Sequence, residues 1–163
     1  MKKVIAIALV LAVVAVAGYA LTSRDPAPSV TYTSMDARKM TTDSLKGKVV
    51  LVNFWATSCP GCVKEMTEFR QIYQQLAPQG KYETLAVAMN YDPPNYVKTF
   101  VAENKLPFPI VLDSDGKLAE AWGGIQLVPS TFLVGKDGQV IKRYLGEPDF
   151  RELRQLIDQA IAA

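Results

Sequence analysis

Residues 48–62 read KVVLVNFWATSCPGC, and this stretch decides the fold. Lys48 to Trp55 is apolar on both faces except for Asn53, which marks a strand buried between two layers rather than a half-exposed one. By alternation Asn53 shares a face with Leu51 and Trp55. A helix begins at Pro60, where the missing proline N–H costs nothing. Cys62, Met66, Phe69, Tyr73 and Leu76 then form one apolar stripe at helical spacing. Cys59 therefore falls at a helix N-terminus, where unpaired N–H groups and the helix dipole favour a thiolate. Cys62 belongs to the buried stripe and is shielded. Gly61 lets another chain come close. One exposed thiolate beside one recessed thiol suits disulfide exchange: Cys59 attacks a partner's disulfide, and Cys62 resolves the mixed disulfide. A passive staple is the plain alternative, yet so short a loop contributes only about 2 kcal/mol. Half of a metal site completed in a dimer is another.

Working outward, Val30 to Ser34 reads as an edge strand and Thr42 to Gly47 as a capped turn. Thr84–Met89 and Pro109–Leu112 read as strands, with a helix over Tyr96–Glu103 between them. Lys117–Trp122 suggests a helical turn or two. Thr131–Val134 and Gln139–Tyr144 form a hairpin through Gly135-Lys136-Asp137-Gly138. Phe150–Ala162 closes the chain as an amphipathic helix carrying Leu153, Leu156, Ile157 and Ile161 on one face. This order implies an α/β fold, helices packed around a mixed sheet. Asp113-Ser114-Asp115-Gly116 is spaced wrongly for a calcium loop, since Val111 and Trp122 would occupy the first and twelfth ligand positions. It reads as a turn.

The remainder of the composition excludes chemistry. The chain has 163 residues, two cysteines and no histidine. A Ser-His-Asp triad, a Cys-His pair and any His-ligated metal site are ruled out, and no metal site is expected. Met1-Lys2-Lys3 precedes an uncharged apolar run from Val4 to Leu21, which reads as a cleaved signal peptide or a retained membrane anchor. Both place the following residues outside the cytoplasm. The domain reading is 1–23 signal or anchor, 24–29 linker and 30–163 folded domain. The formal charge of +2 belongs to Lys2 and Lys3, so the exported part is balanced and carries no nucleic-acid footprint.

Residues 49–62 (VVLVNFWATSCPGC) together with Val128-Pro129-Ser130-Thr131-Phe132-Leu133-Val134 resemble thioredoxin-fold proteins. More narrowly they resemble the membrane-associated TlpA/ResA/CcmG branch of bacterial thiol-disulfide oxidoreductases, over about residues 30–162. The resemblance implies a thioredoxin fold with an N-terminal extension and a central insertion near residues 90–120. It implies that Pro129 is cis and sets the backbone of Val128 against a bound partner strand. It implies that Glu65 sits near the thiols as a proton acceptor or pKa tuner, the alternative being an ordinary surface glutamate. Asn53 stands where cytoplasmic thioredoxins carry a buried Asp. It either tunes the site or is simply a hydrogen-bonded buried amide. Trp55 either flanks the substrate or packs the core, and Pro60 and Gly61 tune the dithiol. No cofactor is implied beyond the redox-active Cys59–Cys62 disulfide.

The implied setting is the bacterial periplasm or cell envelope, at the cytoplasmic membrane. The implied partners are client proteins with disulfides or thiols, in cytochrome c or copper-site maturation, and a membrane thiol-electron donor. The Pro-Gly pair departs from thioredoxin's Gly-Pro and from the His of strong oxidants. With no histidine or lysine pair to stabilise the Cys59 thiolate, the expectation is a protein-disulfide reductase. A thioredoxin-fold peroxidase would need Thr where Ala56 stands. A non-catalytic copper carrier would use His, which the chain lacks.

Overall fold

The structure is a computed structural model and describes residues 25–163. The segment read as signal or anchor lies outside the described residues. Among those described, no helix is long and apolar enough to cross a membrane.

Among the described residues, seven strands and four α-helices follow one another in nearly the expected order. A central sheet has the strand order β5-β4-β3-β6-β7. The strands are β3 (Val49–Trp55), β4 (Tyr82–Ala88), β5 (Ile110–Leu112), β6 (Ser130–Val134) and β7 (Val140–Leu145). β3 runs parallel to β4, and β4 to β5. β6 is antiparallel to both β3 and β7. Every residue of β3 is buried, because it is the middle strand and both sheet faces are covered.

On one face, Val49, Leu51 and Trp55 meet α1 (Pro60–Leu76), α2 (Pro94–Asn104) and α4 (Phe150–Ala162) through Met66, Phe69, Val97, Leu153 and Ile157. On the other, Val50, Val52 and Phe54 meet Leu118 of α3 (Lys117–Ala121), Trp122 and Tyr32. Burying a side chain such as Phe69 or Met66 contributes about 2–3 kcal/mol. This is the thioredoxin fold. Between β4 and β6 the chain adds β5 to the sheet edge, flanked by α2 and α3.

Three differences from the sequence reading have physical causes. A strand β2 (Lys39–Thr41) pairs with β1 (Thr31–Thr33) as an antiparallel hairpin. Its few residues are too short to show a period. The buried stripe of α1 runs through Ile72 and includes Glu65, whereas Tyr73 is only partly buried and packs its ring on Tyr82 and Phe108. Asp25 to Ala27, read by composition as linker, lie against the β6–β7 turn: Val140 donates to the Asp25 carbonyl and Ala27 to that of Gly138. Pro26 suits such an edge position, where no donor is required. The Asp113–Gly116 turn has a structural role. The Asp113 carboxylate accepts from the N–H groups of Leu118 and Ala119 and so caps α3.

Candidate active site

β3 delivers the chain into a turn, Ala56–Cys59, closed by a bond from the Cys59 N–H to the Ala56 carbonyl. Cys59 is the N-cap of α1 with extended backbone angles, and Pro60 follows inside the first turn. The Cys59 Sγ accepts the N–H of Cys62 at 3.2 Å. A sulfur in this position is held by a helix N-terminus, which stabilises negative charge on it. Cys59 and Cys62 are joined as a disulfide with their Cα atoms 5.2 Å apart. Cys59 is partly exposed and Cys62 fully buried, so only one sulfur of the pair meets an incoming molecule.

The Val128–Pro129 bond is cis. The Val128 carbonyl oxygen lies 3.7 Å from the Cys59 Sγ. Pro129 is buried and Val128 half-buried. A Cβ placed on Gly61 would meet only Pro129 Cδ, at 4.0 Å, so the glycine leaves an open approach over the dithiol.

Asn53 of β3, Glu65 of α1 and Thr131 of β6 form a sealed polar cluster, none of them exposed. Asn53 Nδ2 donates to Glu65 Oε1 at 2.7 Å and to Thr131 Oγ1 at 2.9 Å. Thr131 is Asn53's cross-strand partner on β6. Glu65 Oε2 and Asn53 Oδ1 have no partner. Burial pushes the Glu65 carboxyl up to about 8; the Asn53 bond opposes this and the charge of Glu147 adds to it. The surface reading of Glu65 therefore falls. Asn53 is a hydrogen-bonded buried amide, and its partners are Glu65 and Thr131.

Trp55 does not flank a substrate. It is fully buried and packs on Phe100 with ring centroids 5.3 Å apart, so it offers no surface to a client. Pro60 is exposed at the mouth of the site. Two further residues belong to the surroundings. Thr57 donates its N–H and its hydroxyl to the two carboxylate oxygens of Asp92, each at 2.6 Å.

Residues 22–157 match the family described as Redoxin. The chain belongs to the Redoxin family. This Redoxin is 33% identical over 132 residues to the thiol-disulfide oxidoreductase ResA of Bacillus thuringiensis subsp. konkukian, covering 80% of this chain and 74% of that protein. It is 30% identical to the sporulation thiol-disulfide oxidoreductase A of Bacillus subtilis, covering 70% of this chain and 69% of that one. A solution structure from Neisseria meningitidis, provisionally described as a thioredoxin, superposes with a TM-score of 0.76 at 37% identity. It covers 85% of this chain and 91% of its own. The likeness to the TlpA/ResA/CcmG group thus holds across the domain, and this Redoxin is a thiol-disulfide oxidoreductase.

Sequence reading did not single out Thr131 or Asp92. Thr131 was visible only as part of the motif after Pro129. Its role depends on the β3–β6 register, which no local pattern reports. Asp92 precedes Pro93-Pro94 and looks like an ordinary loop residue.

Proposed function

We propose that this Redoxin is a reductase of client protein disulfides on the outer side of the bacterial cytoplasmic membrane. The observation that carries the proposal is the asymmetry of the dithiol. Cys59 is partly exposed, capped by the Cys62 N–H and set beside the Val128 carbonyl, while Cys62 is sealed. In the reduced protein the Cys59 thiolate attacks one sulfur of a client disulfide. The client S–S bond breaks, and its released sulfur takes a proton. The Cys62 thiolate then attacks the Cys59 sulfur, and the second client sulfur leaves and is protonated. The client gains two electrons and two protons, and the protein keeps the Cys59–Cys62 disulfide. A dithiol electron donor at the membrane restores it.

Glu65 lies one helical turn after Cys62. A carboxyl that titrates at about 8 is present in both forms near neutral pH, which suits it to take and return the Cys62 proton. Val128 and Pro129 would hold the client backbone over Cys59, with Gly61 leaving room for it. The direction of the reaction follows from the charges. Lys64, two residues after Cys62, is already paired with Glu147 at 2.8 Å, and the chain has no histidine, which among the described residues leaves the helix terminus to stabilise the thiolate. A weakly stabilised thiolate makes a stable disulfide and a reducing dithiol. Export through the Val4–Leu21 run, cleaved or retained, places this chemistry in an oxidising compartment. There, apocytochromes c awaiting haem and copper-site proteins need their thiols reduced.

Equilibration of the protein with glutathione tests the direction. The expected potential lies nearer thioredoxin's roughly −270 mV than the roughly −120 mV of a strong oxidant. A value above the midpoint of those two refutes a reductase. Cys59→Ser is expected to abolish exchange, and Cys62→Ala to accumulate mixed disulfides whose captured clients identify the pathway. An active Cys59→Ser variant, with nothing trapped by Cys62→Ala, would reverse the two roles.

A further inference from the structure

Between Asn90 and Tyr96 a single residue is buried, and it is Asp92, 5% exposed. Its neighbours Tyr91 and Pro93 face solvent. An aspartate just before a helix ordinarily caps it. Here α2 has Pro93 as its N-cap and no side-chain cap, while Asp92 gives both oxygens to Thr57. Among the described residues no Lys or Arg forms an ion pair with it. A buried carboxylate is an expensive way to hold a loop, and apolar packing does so without the desolvation penalty. What the carboxyl group adds is a rigid, two-pronged grip.

The grip falls two residues before Cys59. It is anchored in turn to the end of β3, since the Asp92 N–H donates to the Met89 carbonyl and the Met89 N–H to that of Trp55. The turn carrying the thiol is therefore held from both sides, by β3 behind it and by the β4–α2 loop across it.

We propose that Asp92 is a positioning residue for the thiol-disulfide reaction. By holding the amide and hydroxyl of Thr57, it fixes the turn that sets the Cys59 sulfur between the Cys62 N–H and the Val128 carbonyl. The inference rests on Cys59 being the attacking thiol. It does not depend on the client or on the net direction of electron flow.

Exchange of the full-length reduced protein with glutathione disulfide tests it, measured as a rate and as an equilibrium constant beside the thermal midpoint. Asp92→Ala is expected to slow exchange about tenfold or more, because small misplacements of reacting groups cost that much. The equilibrium shifts toward the disulfide as the sulfur leaves its helix-terminal cap. Asp92→Asn keeps an acceptor for the Thr57 N–H and offers a donor to its hydroxyl, and should recover the rate to within about threefold. Thr57→Val removes one of the two bonds and should fall between them. It carries the test if Asp92→Ala does not fold.

Wild-type exchange and equilibrium in Asp92→Ala, or in Thr57→Val where that variant stands in, overturn the proposal whatever the thermal midpoint does. So does an Asp92→Asn variant as slow as Asp92→Ala, because charge rather than grip is then at work. A wild-type protein that fails to exchange with glutathione at all refutes the role of Cys59 instead.

Discussion

Replacing Glu65 by Gln removes one ionisable group from a sealed position while keeping its size and its acceptor for Asn53 Nδ2. The carboxyl titrates at about 8 in the folded protein against an ordinary 4.5. The folded state thus binds this proton more tightly than the unfolded chain does. Folding is unpenalised by the group below pH 4.5, loses ground as pH rises between the two values, and carries the full cost above about 8. At 1.36 kcal/mol per pH unit the cost is about 3 kcal/mol at pH 7 but only about 1 kcal/mol at pH 5. The glutamine variant has no such dependence. It also places a donor beside Asn53, whose Oδ1 lacks a partner.

Urea unfolding of the oxidised wild type and of Glu65→Gln, each at pH 5 and pH 7, isolates the effect because other titrating groups cancel in the comparison. The variant should gain on the wild type by about 2 kcal/mol between the two pH values, or roughly 8 °C in thermal midpoint. The same substitution should slow client reduction by about a hundredfold at neutral pH if Glu65 handles the Cys62 proton. Parallel stabilities at the two pH values would show that the group does not titrate as its burial demands. A wild-type reduction rate would leave Glu65 as a structural residue only.

Two further outcomes follow from the same cluster and its rim. Thr131→Val leaves one buried Asn53 N–H without its acceptor and should cost about 1–3 kcal/mol in denaturant unfolding; a loss under about 0.5 kcal/mol would mean that the bond contributes nothing. Gly61→Ala meets only an ordinary contact with Pro129 and should hold or raise stability by up to about 1 kcal/mol through helix propensity. Its KM for a protein client should rise while exchange with glutathione is unchanged; an unchanged KM would show that no client chain passes over this glycine.

The strand-turn-helix unit around the thiols was legible because its signals are local. A continuous apolar run, a cysteine before a proline and an apolar stripe each sit within a few residues of one another. The β6–β7 hairpin was legible for the same reason, through its glycine-rich turn. What was not legible depends on residues meeting across the sheet. Glu65 reads equally well as a surface charge until Asn53, itself bonded to Thr131 of β6, arrives from β3 to bind it. Trp55 sits next to the active-site turn in sequence, yet Phe100 from α2 covers it. Asp92 shows nothing in sequence, since its importance lies in a contact with Thr57 far along the chain.

The seating of Asp25 on the β6–β7 turn has a consequence for how the protein faces its surroundings. β6 leaves the Pro129 loop at Ser130 and reaches that turn after Val134. At about 3.4 Å per residue this separates the two ends of the strand by roughly 15 Å. The point where residues before Asp25 join the domain therefore lies at the opposite end of the sheet from the dithiol. Any attachment made through those residues would meet the domain at the end far from Cys59, with the length of the sheet between the reactive sulfur and the point of attachment.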